Sequence, residues 1–212
     1  MKNNLQIIKQ LQNKFGWFYY KLKSNEVTHL KLNYKGVETK DLELIGELTS
    51  LEELELYNNK IDTIQGLDKL TKLEELQLGD NQITKIEGLE KLTKLEYLYL
   101  DDNNITTIQG LDNLTNLQDL SLSHNKIDTI EGLDKLTKLE ELWLSGNQIS
   151  KIKGLDKLTK LRGLHLGWNK ITKIEGLSNL TSLEKLYLHY NQITEKEIDK
   201  FKATNKKIKV YA

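Results

Sequence analysis

Two residue types are missing outright: the 212-residue chain has no cysteine and no proline. Without cysteine there are no disulfides, thiolate metal sites or cysteine nucleophiles, and a cytoplasmic location is expected. An excess of either charge is also missing. Lys and Arg match Asp and Glu at 31 each, so net charge predicts no polyanionic partner. No apolar run reaches the ~18 residues that span a bilayer. The opening MKNNLQIIKQLQNKFGWFYYKLK lacks the apolar centre and small-residue cleavage site of a secretory signal. Glycines never form G-x-G-x-x-G or a Walker loop. No nucleic acid, membrane or cofactor is therefore expected.

What is present is repetition. Leucines recur at 51, 73, 95, 117, 139, 161 and 183, always 22 apart, each opening L-x-x-L-x-L-x-x-N-x-I, and the first six run on as x-x-I-x-G-L-x-x-L. A period in the twenties with this signature identifies leucine-rich repeats. In LEELWL, Leu142 and Leu144 alternate with polar neighbours, which predicts a short strand with one buried face. Ile149, Ile152, Leu155 and Leu158 then recur every three residues, a spacing suited to 3₁₀ turns. One repeat cannot enclose its own leucines, but a stack can. The predicted fold is an α/β solenoid: a right-handed superhelix with a parallel sheet on its concave face and turns on its convex face. The recurring Asn is expected to turn the chain and bond backbone groups of its own and the adjacent repeat.

Both ends read as caps. Residues 1–26 are expected to form an N-terminal helical cap, with Leu5, Ile7, Ile8, Leu11 and Phe15 at helical spacing. Residues 27–194 hold one irregular repeat, about two residues longer, and seven regular ones. In the C-terminal cap, 195–212, Thr194 and Glu197 have capping-box spacing and Asn205 is a helix stop. Ile208 and Val210 fall 22 residues after Leu186 and Leu188, predicting a last strand in register. Nine parallel strands at ~4.8 Å make a sheet roughly 40 Å long. The absent proline and near-identical GLDKLTK blocks fit recent internal duplication or consensus design.

The 22-residue period and ITKIEGLEKLTKLEYLYL, with Ile-Glu-Gly-Leu at 86–89 and 174–177, resemble the leucine-rich-repeat regulatory subunit of protein phosphatase 1. Bacterial internalins share the period, but usually carry proline near that glycine and a secretion signal. The resemblance covers about residues 27–194 and implies the fold and a non-enzymatic regulatory or scaffold role. That family binds a phosphatase through its concave face. None of its contact residues belongs to the repeat motif, so none transfers to this chain.

Variation is concentrated in the five x positions of L-x-x-L-x-L-x-x-N, which should face or rim the concave sheet. Every aromatic between 51 and 194 lies there, and so do three of the four histidines. These 35 positions hold 13 acidic and 2 basic residues, so one face is acidic and aromatic in a neutral chain. Tyr and Trp are the types that anchor interfaces. The expected partner-binding residues are Tyr97, Tyr99, Asp119, Glu141, Trp143, His165, Trp168, Lys185, Tyr187 and Tyr190. Trp143, His165 and Tyr187 should form a ladder with ~4.8 Å steps. Trp168 and Tyr190 should pair beside it. Gly163 and Gly167 should leave a depression between Glu141 and Lys185, forming an anchor pocket. The acidic stretch would steer a basic protein partner to a monomeric receptor.

The competing possibilities are weaker. Ser121, Ser123 and His124 are close together, but on an open sheet that cannot exclude water from a triad. His165 and His189 occupy different strand positions with no third metal ligand nearby. Recognition of a small cationic group by Trp143, His165 and Trp168 is the alternative binding function. Cross-strand stabilisation alone is the structural one.

Overall fold

A computed structural model describes residues 4–212; residues 1–3 of the expected N-terminal cap lie outside it. The chain runs through α1 (Asn4–Phe15), β1 (Tyr19–Lys23), β2 (Glu26–Lys31), α2 (Thr39–Ile45) and β3 (Glu53–Glu55). Then come β4 (Glu75–Gln77), β5 (Tyr97–Tyr99), β6 (Asp119–Ser121), β7 (Glu141–Trp143), β8 (Gly163–His165) and β9 (Lys185–Tyr187). It closes with α3 (Glu195–Thr204) and β10 (Lys209–Tyr211). All ten strands form one sheet in chain order. The nine from β2 to β10 are parallel, as the leucine spacing predicts.

From β3 onward each strand is three residues long, because only its central residue must point inward before the chain turns. Leu76, Leu98, Leu120, Leu142, Leu164 and Leu186 are fully buried, with one whole polar-facing surface on the other side. Opposite the sheet, the three-residue spacing gives successive i+3 turns, such as Leu70 N–H to Leu67 C=O at 2.9 Å and Leu73 N–H to Leu70 C=O at 3.0 Å. These turns stay separate and do not form continuous helix. The glycine before each turn has a packing reason. A Cβ on Gly132, at φ 83°, would sit 2.1 Å from the Ile108 carbonyl oxygen of the preceding repeat.

The recurring Asn behaves as expected. Asn125 Nδ2 donates to Leu122 C=O of its own repeat at 3.1 Å and to Leu100 C=O of the preceding one at 2.9 Å. Its Oδ1 accepts from Ile105 N–H at 2.9 Å. Repeated along the stack, this ladder satisfies backbone groups that the irregular path would otherwise strand in the core.

The ends differ from expectation in three respects. Helix α1 buries Ile7, Ile8 and Leu11, but it stops at Phe15, and Tyr19–Lys23 form a strand inside the segment expected to be helical. Strand β1 pairs antiparallel with β2 through a turn with Ser24 at φ 51° and Asn25 at φ 66°. Two successive left-handed residues match the twist of a tight hairpin. Third, β10 is in register with β9 at 24 residues, not 22: Val210 faces Leu186 and Tyr211 faces Tyr187. The 24-residue offset also holds between Leu30 and Leu54. A shift of two keeps every side chain on its own face. These two longer units are the ones whose turn side contains a helix, α2 and α3. Helix α3 is capped as predicted, with Thr194 Oγ1 accepting from Glu197 N–H and Asn205 at its end.

Candidate partner-binding face

Because the strands are parallel and in register, equivalent positions form straight columns across the concave sheet. One column runs Glu53, Glu75, Tyr97, Asp119, Glu141, Gly163, Lys185 and Lys209. Its neighbour runs Glu55, Gln77, Tyr99, Ser121, Trp143, His165, Tyr187 and Tyr211. Eight of the ten sequence-predicted residues stand in these two columns; Trp168 and Tyr190 lie outside them, just after β8 and β9, and the two halves of the face differ in chemistry.

The C-terminal half is a stack of rings. Trp143 and His165 stack at 3.5 Å between centroids, His165 and Tyr187 at 4.3 Å, and Tyr187 and Tyr211 at 4.5 Å. Beside it Trp168 stacks on Tyr190 at 4.7 Å, with His189 edge-on to Trp168 at 4.5 Å. Tyr211 is a fourth rung that a 22-residue register would have placed opposite His189. His165 is only 9% exposed between its neighbours, whereas Trp143 is 39% and Trp168 51% exposed. Burial, then the charges of Lys185 and His189, push the His165 imidazole down to about 4. It is neutral at pH 7, and its Nε2 lies 3.4 Å from Glu141 Oε2.

The expected depression at Gly163 and Gly167 is absent. The Glu141 carboxylate fills the first gap, where a Cβ would lie 1.8 Å from Oε2. The His189 ring fills the second, with Nε2 2.6 Å from the Cβ position. The rings stack on one another and do not enclose space, so Trp143, His165 and Trp168 form no cage for a cation. The stacks leave Trp143 and Trp168 exposed.

Backbone geometry adds a point the pattern alone did not reveal. The residue before each recurring Asn is left-handed: Asn58, Asp80, Asp102, His124, Gly146, Trp168 and Tyr190 have φ between 51° and 70°. The first five are residues that tolerate such a turn better than bulky ones do. Trp168 and Tyr190 sit there against that preference.

The N-terminal half is anionic. At its margin Lys31 bonds Glu55 and lies 3.0 Å from Glu53. Burial pushes the Glu53 carboxyl up, but hydrogen bonds from Lys31 and Glu55 outweigh it, and its pKa falls below the usual range. Further along, no lysine or arginine among the described residues forms an ion pair with Asp101, Asp119 or Glu141. Burial raises all three pKa values, aided by Asp102 for Asp101, Glu140 for Asp119 and Asp119 for Glu141. Burial with Asp119 and Glu75 nearby takes the Tyr99 phenol up to about 12. Burial, followed by Glu96 and Asp119, also raises Tyr97. An open notch of about 280 Å³ lies here, lined by Tyr57, Gln77, Gly79, Tyr99 and Asp101. Sequence reasoning missed Tyr57, Gly79 and Asp101 as a group; a glycine between Tyr57 and Asp101 in successive repeats was the available signal.

A larger groove, about 940 Å³, lies off this face, between the last repeat and the residues after α3. The described residues contain no group of three or more His, Asp or Glu able to hold a metal ion. No helix among them is long and apolar enough to cross a membrane.

Together these features define a leucine-rich-repeat solenoid with a diversified strand face. The leucine-rich-repeat family model (two copies per match) fits residues 71–114, 115–157 and 159–202, and the chain belongs to that family. An internalin (inlF) from Listeria monocytogenes is similar in structure, with a TM-score of 0.76 and 31% identity, covering 96% of this chain and 56% of its own. Internalin C2 from the same organism gives 0.74 and 29%, covering 91% and 86%. A leucine-rich-repeat protein of Leptospira interrogans gives 0.65 and 27%, covering 87% and 60%. The chain thus spans little more than half of the first internalin. No curated protein matches it significantly. Of the two resemblances drawn from the repeats, these structures support the internalin one even though proline is absent; the family match gives the phosphatase subunit no particular support.

Proposed function

We propose that the concave face is a non-enzymatic protein-binding surface for a basic partner, with Trp143 and Trp168 as anchors and Tyr187, Tyr190, Tyr97 and Lys185 around them. Leucine-rich repeats generally serve as protein-interaction modules. The observation that carries the proposal is the pairing of half-buried carboxylates without a lysine or arginine ion pair, Asp101 and Asp119, with exposed indoles on one sheet; Glu141, also half-buried, is only partly offset by Lys185 and Arg162. Desolvated acids short of counter-charge raise the free energy of the unbound face, and a basic partner relieves that. Exposed Trp supplies desolvation energy at the centre of such an interface.

The test is immobilised wild type against the Trp143→Ala/Trp168→Ala double variant, with the captured protein then purified and titrated at rising NaCl. The double change should weaken binding at least about 30-fold, the scale of a strong anchor, and added salt should weaken the wild-type complex. Equal retention by both proteins, or an affinity indifferent to salt, would rule the proposal out.

A further inference from the structure

We propose that the notch at Gly79 seats a single cationic side chain of the partner, lysine or arginine, between the rings of Tyr57 and Tyr99 with its charge on Asp101. This rests on the concave face being the binding surface, and it identifies which group of a basic partner that face grips first.

Three glycines of the diversified positions, Gly79, Gly163 and Gly167, lie on this face outside the left-handed region. Glycine there is not needed by the backbone, so the missing side chain makes room for something else. At Gly163 and Gly167 the protein's own Glu141 and His189 take up that room. At Gly79 the Asp101 carboxylate and the Tyr57 ring approach the Cβ position to 2.7 Å and 3.1 Å, and an open notch of about 280 Å³ remains beside them. A cavity of that size suits one side chain better than a whole small-molecule ligand.

Its lining selects for positive charge. Tyr57 and Tyr99 are among its walls, and an aromatic ring face attracts a cation within about 6 Å of its centroid. Tyr57 is itself held in place by an edge-on contact with Tyr34, at 5.5 Å between centroids. Asp101 provides the counter-charge, and no lysine or arginine among the described residues forms an ion pair with it. Asp80, Asp102 and Asp101 together make the surroundings of Tyr57 negative. Gln77 turns its amide toward Glu75 and leaves the notch clear. Three strand steps of ~4.8 Å separate this column from Trp143, so the partner should carry its cation roughly 14 Å from the group meeting that indole.

The test is a ¹H–¹⁵N NMR titration with N-acetyl-arginine methylamide and N-acetyl-lysine methylamide, using N-acetyl-norleucine methylamide as the uncharged control. Saturable shifts should centre on Gly79, Asp80 and Asp101 with the cations and be missing with norleucine. Gly79→Ala fills the notch without backbone strain, its Cβ meeting only the movable Asp101 Oδ2 at 2.7 Å and the Tyr57 ring at 3.1 Å. It should weaken the cation response roughly tenfold, as should the isosteric Asp101→Asn. Equal response to norleucine, or cation shifts spread over Glu75, Asp119 and Glu141 that persist in both variants, would overturn the notch. With the captured partner, loss of binding in the double-Trp variant but not in Gly79→Ala removes the notch and keeps the face. Loss in neither removes both.

Discussion

The sheet face and the turn face come from the same 22-residue unit, yet one is diversified and the other is nearly constant. Packing explains the constancy. On the turn side, the glycine of each repeat lies against an isoleucine carbonyl one repeat back, with a hypothetical Cβ 2.0–2.2 Å away at Gly110, Gly132, Gly154 and Gly176. Its charges alternate and pair at the surface, as in Lys91–Asp68 and Lys153–Glu131, each at 3.0 Å. On the sheet side, backbone hydrogen bonds hold the strands together, and the outward side chains touch one another, as in Gln77–Glu75 and His165–Glu141. Substitution there changes chemistry without changing the stack, so that is where recognition can develop.

The largest expected effect comes from breaking the constant layer. Asn125→Ala strands Ile105 N–H in the core and takes one of two amide hydrogen bonds from the Leu100 and Leu122 carbonyls, which keep Asn103 and Asn147. At about 1–3 kcal/mol for the unsatisfied N–H and roughly 0.5–1.5 kcal/mol for each lost hydrogen bond, we expect a loss of about 3 kcal/mol by urea unfolding. A loss under about 1 kcal/mol would show that the Asn ladder is not what ties the repeats together.

Next is a contrast in acid response between the two halves of the sheet face. Unfolded histidine titrates near 6.5, while His165 is held at about 4 by burial first, then by Lys185 and His189. Above pH 6.5 it is neutral in both states and contributes nothing. Between pH 6.5 and 4 mainly the unfolded chain takes up the proton, so stability falls with pH by up to about 3 kcal/mol. Asp119 and Glu141 act in the opposite sense. Burial raises their pKa values, so the folded chain holds their protons more tightly and acid favours it. Melting temperature against pH for wild type and His165→Phe isolates the first effect, because phenylalanine keeps a ring in the stack. Parallel curves from pH 7 to 4 would mean His165 is not buried neutral. The carboxylates give partner binding the same direction as the histidine gives stability: affinity should fall as acid protonates them.

How much of this could be read beforehand follows the same division. Leucine spacing sufficed for the parallel stack, and alternation along LEELWL put Trp143, His165 and Tyr187 in one column, because period and register are local properties. Strand β1 was hidden because Leu5, Ile7, Ile8 and Leu11 impose a helical pattern that seemed to continue through FYYKLK. Tyr211 was misplaced because α3 lengthens its repeat by two residues, which the regular period could not show. The occupied gaps at Gly163 and Gly167 depend on where the side chains of Glu141 and His189 swing, and no pattern of residue types records that.

A smaller effect separates the two exposed tryptophans of the repeats, Trp143 and Trp168. Trp168 is left-handed at φ 51°, whereas Trp143 ends strand β7. Relief of a left-handed backbone should make Trp168→Gly more stable than Trp168→Ala by about 1 kcal/mol. At 143 the order should reverse, with Ala above Gly by about 0.5–1 kcal/mol. Both glycine variants should still lose partner binding. If Gly and Ala rank the same way at both sites, Trp168 is not strained.

The smallest expected effect is the most direct check on the difference between the faces. Lys153 and Glu131 form an exposed turn-face pair at a repeat position that elsewhere holds Gln65, Glu87, Gln109 and Glu175. Screening and side-chain entropy leave such pairs with roughly 0–1 kcal/mol, so a double-mutant cycle with alanine at both positions should give a coupling below about 0.5 kcal/mol. Neither change should alter affinity for a captured partner, since both side chains point away from the concave sheet. A severalfold loss of binding on replacing Lys153 would place contact chemistry on the constant face, and diversity among the strand positions would no longer mark where the partner sits.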